Sequence, residues 1–145
     1  MTAAAGPVGT LARMVEFDDV LVKEMTEHAR REYPNEACGV VAAEAGRPVK
    51  VFAMANVDAS PYTYRLDARE QLAVFEELDR NGWDLFAIFH SHTRTPAYPS
   101  PTDVRLAFYP EALHVLVSLA DADTPEVRAY RIVDEVITEE EVCVR

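Results

Sequence analysis

The stretch FAIFHSHTRTPAYPSPTD, residues 86–103, decides how this chain is read. It begins as a short apolar run, the pattern of a buried strand, and ends that run on His90 and His92. Side chains alternate faces along a strand, so two residues spaced by one leave from the same side and both imidazoles point one way. Two imidazoles side by side at the end of an apolar strand repel when charged and require partners. Beyond a loop stiffened by Pro96 and Pro99 come Ser100 and Asp103, completing His-x-His-x(7)-Ser-x-x-Asp.

Two histidines and one carboxylate form an open coordination set for Zn²⁺, with a fourth position left for water; a structural zinc site would be closed by four protein ligands. His90, His92 and Asp103 are therefore the candidate ligands, and the chemistry such a set supports is hydrolysis. Hydrolysis also needs a base that is not a ligand. Glu36 is the candidate, because PNEACGVVAAE places it immediately before a continuous apolar run, Ala37 to Ala43, at the mouth of a second buried strand. Read alone, Glu36 is more simply an ordinary solvated turn residue; it is the metal motif downstream that makes it the candidate base.

Ser100 and Asp103 also have an ordinary reading. Ser-Pro-Thr-Asp is a good helix start, with Ser at the N-cap, Pro at the first helical position and an acid at the third. The two readings are compatible, since a hydroxyl that accepts a backbone N–H still has its own proton to give to an oxyanion. His28 belongs near the last turn of a helix, in a structural or solvent-facing role. His114 opens a buried strand and reads as a core or edge residue. Cys38 lies inside an apolar run, where a thiol is inert rather than nucleophilic.

With 145 residues, 49% of them apolar and 27% charged, the chain has the make-up of one globular domain. We expect residues 1–13 to be disordered and residues 14–145 to form that single domain. A formal charge of -11 disfavours nucleic acid and anionic membranes as partners. Two cysteines make no disulfide framework, and neither a signal-peptide pattern nor a run of membrane-spanning length is present, so a reducing cytoplasm is the expected location.

In chain order, MVEF predicts a short strand, and a helix follows from Asp18 or Asp19 to before Pro34. After the strand beginning at Ala37, Gly46-Arg47-Pro48 is expected to turn into an antiparallel partner, VKVFAMANV. SPYTYRLD, residues 60–67, looks extended. AREQLAVFEELDRNG predicts a helix with Leu72, Phe75 and Leu78 on one face, stopped by Asn81-Gly82. A helix from SPTD through Leu106 and Ala107 is stopped by Pro110, and LHVLVSLA, EVRAYRIVD and EVITEEEVCV close the chain as strands. This order predicts an α/β fold, one mixed sheet flanked by helices.

FHSH followed by PSPTD, with NEACGVV upstream, resembles the JAMM or MPN+ zinc metalloprotease domain, over roughly Met14 to Asp134. The resemblance implies a cytidine-deaminase-like sandwich and one Zn²⁺ held by His90, His92 and Asp103. It implies Glu36 as the base and Ser100 as the oxyanion donor. Many members carry proline after the second histidine, whereas this chain has Thr93 and then Arg94, a departure that touches loop shape and leaves the ligands intact. The connections look too short for the inserted loops of ubiquitin-chain isopeptidases. The likeness is instead to the compact prokaryotic branch of Mec-type hydrolases, which release cysteine from the C-terminal glycine of a small ubiquitin-like sulfur carrier ending in Gly-Gly. That carrier would be the partner, its tail lying on a strand edge near residues 60–66. A JAMM protease acting on another ubiquitin-like conjugate is the alternative; a non-catalytic scaffold module is disfavoured by the complete ligand set. The oligomeric state is left open, a homodimer included.

Overall fold

A computed structural model describes residues 13–145. The disorder expected of residues 1–13 therefore falls, Arg13 aside, outside the described residues. Seven strands form one mixed sheet. They are β1 (Met14–Phe17), β2 (Cys38–Glu44), β3 (Arg47–Met54), β4 (Asp84–His92), β5 (Leu113–Ser118), β6 (Glu126–Val133) and β7 (Val136–Val144), in the order β1-β7-β6-β5-β4-β2-β3. Only β1 with β7 and β4 with β5 run parallel. The helices are α1 (Asp19–Glu32), α2 (Ala68–Asn81) and α3 (Pro101–Arg105).

Strand periodicity sorts the core into two layers. On one face, Leu21, Met25 and Ala29 of α1 pack on Val41, Ala87, Phe89, Val115 and Val117. The opposite face is shared: Val74 and Leu78 of α2 cover Val40 and Ala42, while Val104 and Ala107 cover Leu116 and Tyr130. His90 is in register with Cys38 of β2 and Leu116 of β5, so it lies on this second face, in the seam between the α2 and α3 layers. Gly39 allows the central strands to close up, because a Cβ there would collide with the Phe52 carbonyl and the Phe89 ring.

Several local expectations are corrected. The β2–β3 hairpin turns at Ala45 and Gly46, both at positive φ (49° and 80°), as the twist of a two-residue hairpin loop requires, and Arg47 and Pro48 already belong to the strand. Residues 60–67 are a loop whose one β-bridge is Asn56 to Leu66, so the extended stretch expected there is not a strand of the sheet. On α2 the buried face is Val74 and Leu78; Leu72 is exposed, because the helix rotates it away from β2. The helix after Ser100 ends at Arg105, leaving Leu106 and Phe108 exposed. For His28 the structural of its two expected roles holds: it faces inward, its Nε2 shared between the Cys38 and Met54 carbonyls at 3.2 and 3.1 Å, which ties α1 to the ends of β2 and β3.

Among the described residues, no helix is long and apolar enough to cross a membrane.

Candidate active site

Strand β4 delivers His90 and His92 to its C-terminal end, both buried. The loop after it is held at three points. The Pro96 carbonyl lies 2.9 Å from His92 Nδ1, the Thr95 carbonyl accepts from Ser118 Oγ at 2.6 Å, and the Ala97 carbonyl accepts from the Tyr130 hydroxyl. This loop sets the start of α3 against the histidines. Ser100 caps α3: its Oγ accepts from Asp103 N at 3.0 Å, and its own N–H donates to Asp103 Oδ2 at 2.9 Å. The cap turns the Asp103 carboxylate inward, so the helix-start reading and the ligand reading describe one arrangement.

Oδ2 of Asp103 lies 3.2 Å from His90 Nε2 and 3.0 Å from His92 Nε2, and one ligand atom from each of the three residues lies within 4.8 Å of the others. The surroundings fit a cation. His92 Nδ1 faces a carbonyl, which can only accept, so it carries the ring's proton when the ring is neutral; Nε2 then turns a lone pair toward a carboxylate. Two acceptors meet favourably only if the ring takes a second proton or a metal ion sits between them. Burial opposes charge on His92, but Asp103, the Pro96 carbonyl and Glu36 outweigh it and raise its pKa. His90 moves the other way, lowered by burial, which suits a neutral ligand. Its Nδ1 is buried without a partner, and its ring stacks on Tyr64 at 4.4 Å between centroids. Burial opposes ionisation of Asp103 too, yet its contacts with both histidines and Ser100 N hold its pKa far below the usual carboxylate range.

Glu36 comes from the other side. Cys38 opposite His90 in the antiparallel register puts Glu36 opposite His92, on the same face. The join is made by Ser91, whose side chain points to the α1 side and whose Oγ accepts from Ala37 N at 2.8 Å. Glu36 N–H donates to the Ser60 carbonyl at 2.8 Å, and Asn56 Nδ2 donates to the Glu36 carbonyl at 3.0 Å. The residue is 4% exposed, with its side-chain Oε1 unpartnered. Burial pushes its pKa up to about 8, the Asp103 charge adding to this and His92 opposing it. The solvated-turn reading of Glu36 is thus excluded. A cleft of about 250 Å³ opens over the group, lined by Glu36, His92, Ser100, Pro61, Tyr62 and Thr93 to Thr95 among others.

The sequence reading missed Ser91, Asn56 and Tyr64. Of these only Tyr64 carries a signal, an aromatic in a loop with no core to join. Cys38 is buried, its thiol pushed up to about 12 mainly by burial, as an inert thiol would be. His114 is buried near the site but its Nε2 has no partner, and burial lowers its pKa to about 4.

This arrangement of an HxH strand end, an Asp in the first turn of a Ser-capped helix and a buried Glu just before the neighbouring strand goes with a matching family. Residues 18–133 match the Prok-JAB family, described as prokaryotic homologs of the JAB domain, and the chain belongs to it. Over 126 residues the chain is 50% identical to the CysO-cysteine peptidase of Mycobacterium bovis, covering 86% of each protein. It is 40% identical over 89 residues to a probable TtuB-protein conjugate cleaving protease of Thermus thermophilus, covering 60% of this chain and 59% of that one. A protein of Desulfitobacterium hafniense solved in solution superposes with a TM-score of 0.82 at 35% identity, over 91% of this chain and 93% of the other.

Proposed function

We propose that this protein is a zinc-dependent hydrolase that cleaves the amide bond between the C-terminal glycine of a ubiquitin-like sulfur carrier and cysteine, releasing cysteine. The observation that carries the reading is the convergence of His90, His92 and Asp103 beside the buried, unpartnered Glu36. The choice of substrate rests on the 50% identity to a CysO-cysteine peptidase.

His90, His92 and Asp103 would hold the metal, whose contribution when bound is Lewis acidity, drawing the pKa of water toward neutrality and polarising the scissile carbonyl. Glu36 takes the proton of the attacking water as its oxygen bonds to the carbonyl carbon. Ser100, whose cap uses only an oxygen lone pair, donates its hydroxyl proton to the developing oxyanion. Glu36 then hands its proton to the amide nitrogen as the C–N bond breaks, and the amine leaves as cysteine.

A second reading, hydrolysis of carrier–protein conjugates at a lysine side chain, uses the same groups and is favoured by the likeness to the Thermus protease. Both are tested by supplying a Gly-Gly carrier bearing a C-terminal cysteine, and the same carrier linked to lysine Nζ, with and without a chelator. Release of cysteine from the first by metal-loaded protein only, followed by mass spectrometry, supports the proposal. Hydrolysis of the lysine conjugate alone overturns it in favour of the second reading.

A further inference from the structure

We propose that Arg94 is the specificity-determining residue of the cleft, binding the free α-carboxylate of the leaving amino acid. The inference rests on the hydrolase reading above and names the chemistry of its leaving group: a C-terminal residue with its carboxylate free, rather than a lysine side chain within a protein.

Arg94 lines the cleft together with Glu36, His92 and Ser100, and no other lysine or arginine does so. Its neighbours hold it in place from the backbone: Thr93 is buried and donates Oγ1 to the Pro61 carbonyl at 3.3 Å, and Thr95 is tied to Ser118. The guanidinium itself is exposed and forms no ion pair among the described residues. Other arginines, Arg30, Arg47 and Arg105 included, also lack an ion pair among the described residues, whereas Arg65, Arg128, Arg131 and Arg145 pair with the chain's own acids; what sets Arg94 apart is its place in the lining of this cleft. In a protein of net charge -11, an unpaired guanidinium at the mouth of a cleft lined by Glu36, His92 and Ser100 is placed for an anion from outside.

The chemistry says which anion. Glu36 must reach the leaving nitrogen, so the leaving group lies over Glu36, in the cleft that Arg94 lines. In a released amino acid the carboxylate is two bonds from that nitrogen, so its charge lies beside the Glu36 carboxyl and is favoured by a cation on the cleft wall. A lysine side-chain amine brings no carboxylate near the reacting bond and gains nothing from Arg94. The cleft, about 250 Å³, is below the usual range for small-molecule sites and matches a residue or two of chain.

The test compares carrier–cysteine with carrier–cysteinamide, which lacks only the charge, using wild type and Arg94→Gln. Wild type is expected to favour the free carboxylate by about tenfold or more in kcat/KM, as a charged hydrogen bond would give, and Arg94→Gln to treat the two alike. The same preference is expected in the affinity of metal-free wild type for the two conjugates, measured by calorimetry. Equal handling of both by wild type, or an unchanged preference in Arg94→Gln, overturns the assignment and leaves the hydrolase reading standing. Failure of metal-loaded wild type to cleave either conjugate overturns both.

Discussion

Ser91 clasps Ala37 twice: its Oγ accepts from Ala37 N at 2.8 Å, and its own N–H donates to the Ala37 carbonyl at 3.0 Å. This residue between the two histidines faces away from the site, yet it brings Glu36 to them, since Glu36 continues the β2 register beyond the last ladder pair. Ser91→Ala should leave a buried N–H without an acceptor and destabilise the protein by about 1–3 kcal/mol in denaturant titration. If Glu36 drifts with the loosened strand end, kcat should fall roughly tenfold to a hundredfold with metal content unchanged.

Ser100 combines a cap with a proposed catalytic role, and the two separate on substitution. Ser100→Ala removes the acceptor for Asp103 N and should cost about 1 kcal/mol of stability. It leaves the backbone bond from residue 100 to Asp103 Oδ2 in place, so metal binding should persist while kcat drops by roughly 10²–10³. Metal analysis alongside steady-state kinetics reads both.

The buried Glu36 makes the metal-free protein pH-sensitive in a defined direction. Its folded pKa, about 8, lies above its unfolded value, so its contribution is fully present below the unfolded pKa and is lost as pH rises toward 8. Between about pH 5.5 and 7, metal-free wild type should lose about 1.4 kcal/mol per pH unit relative to Glu36→Gln, whose side chain does not titrate, and the slope should flatten as pH approaches 8. Parallel stability curves for the two proteins would show that Glu36 is ionised throughout.

Gly39 tests the fold independently of the site. Gly39→Ala would drive a methyl into the Phe52 carbonyl, which belongs to a paired strand and cannot move aside, and into the Phe89 ring. A loss of about 1–3 kcal/mol or more is expected in thermal unfolding.

What the sequence disclosed follows from what is local. Strand alternation put His90 and His92 on one face, the apolar run from Ala37 marked β2, and Asn81-Gly82 marked the end of α2, where Gly82 is in the left-handed region at φ 67°. The mixed sheet followed from the order of elements. What stayed hidden depends on contacts between distant residues. The Ser91 clasp spans 54 positions, and the Tyr64 stack on His90 comes from a loop whose alternation imitated a strand. Leu72 satisfies the helical period as well as Val74 does; only the rotation of α2 on β2 decides between them. His28 looked like a helix-end cation until β2 and β3 supplied carbonyls for it.

The proposed chemistry needs a metal held by His90, His92 and Asp103 and a separate base, Glu36. Its most direct test measures bound zinc and cysteine release in the same preparations of wild type, Asp103→Ala and Glu36→Gln. We predict one zinc per chain in wild type and Glu36→Gln, little in Asp103→Ala, and release by wild type alone, with Glu36→Gln down by about 10²–10⁴. Full turnover by Glu36→Gln, or by wild type stripped of metal, would contradict it.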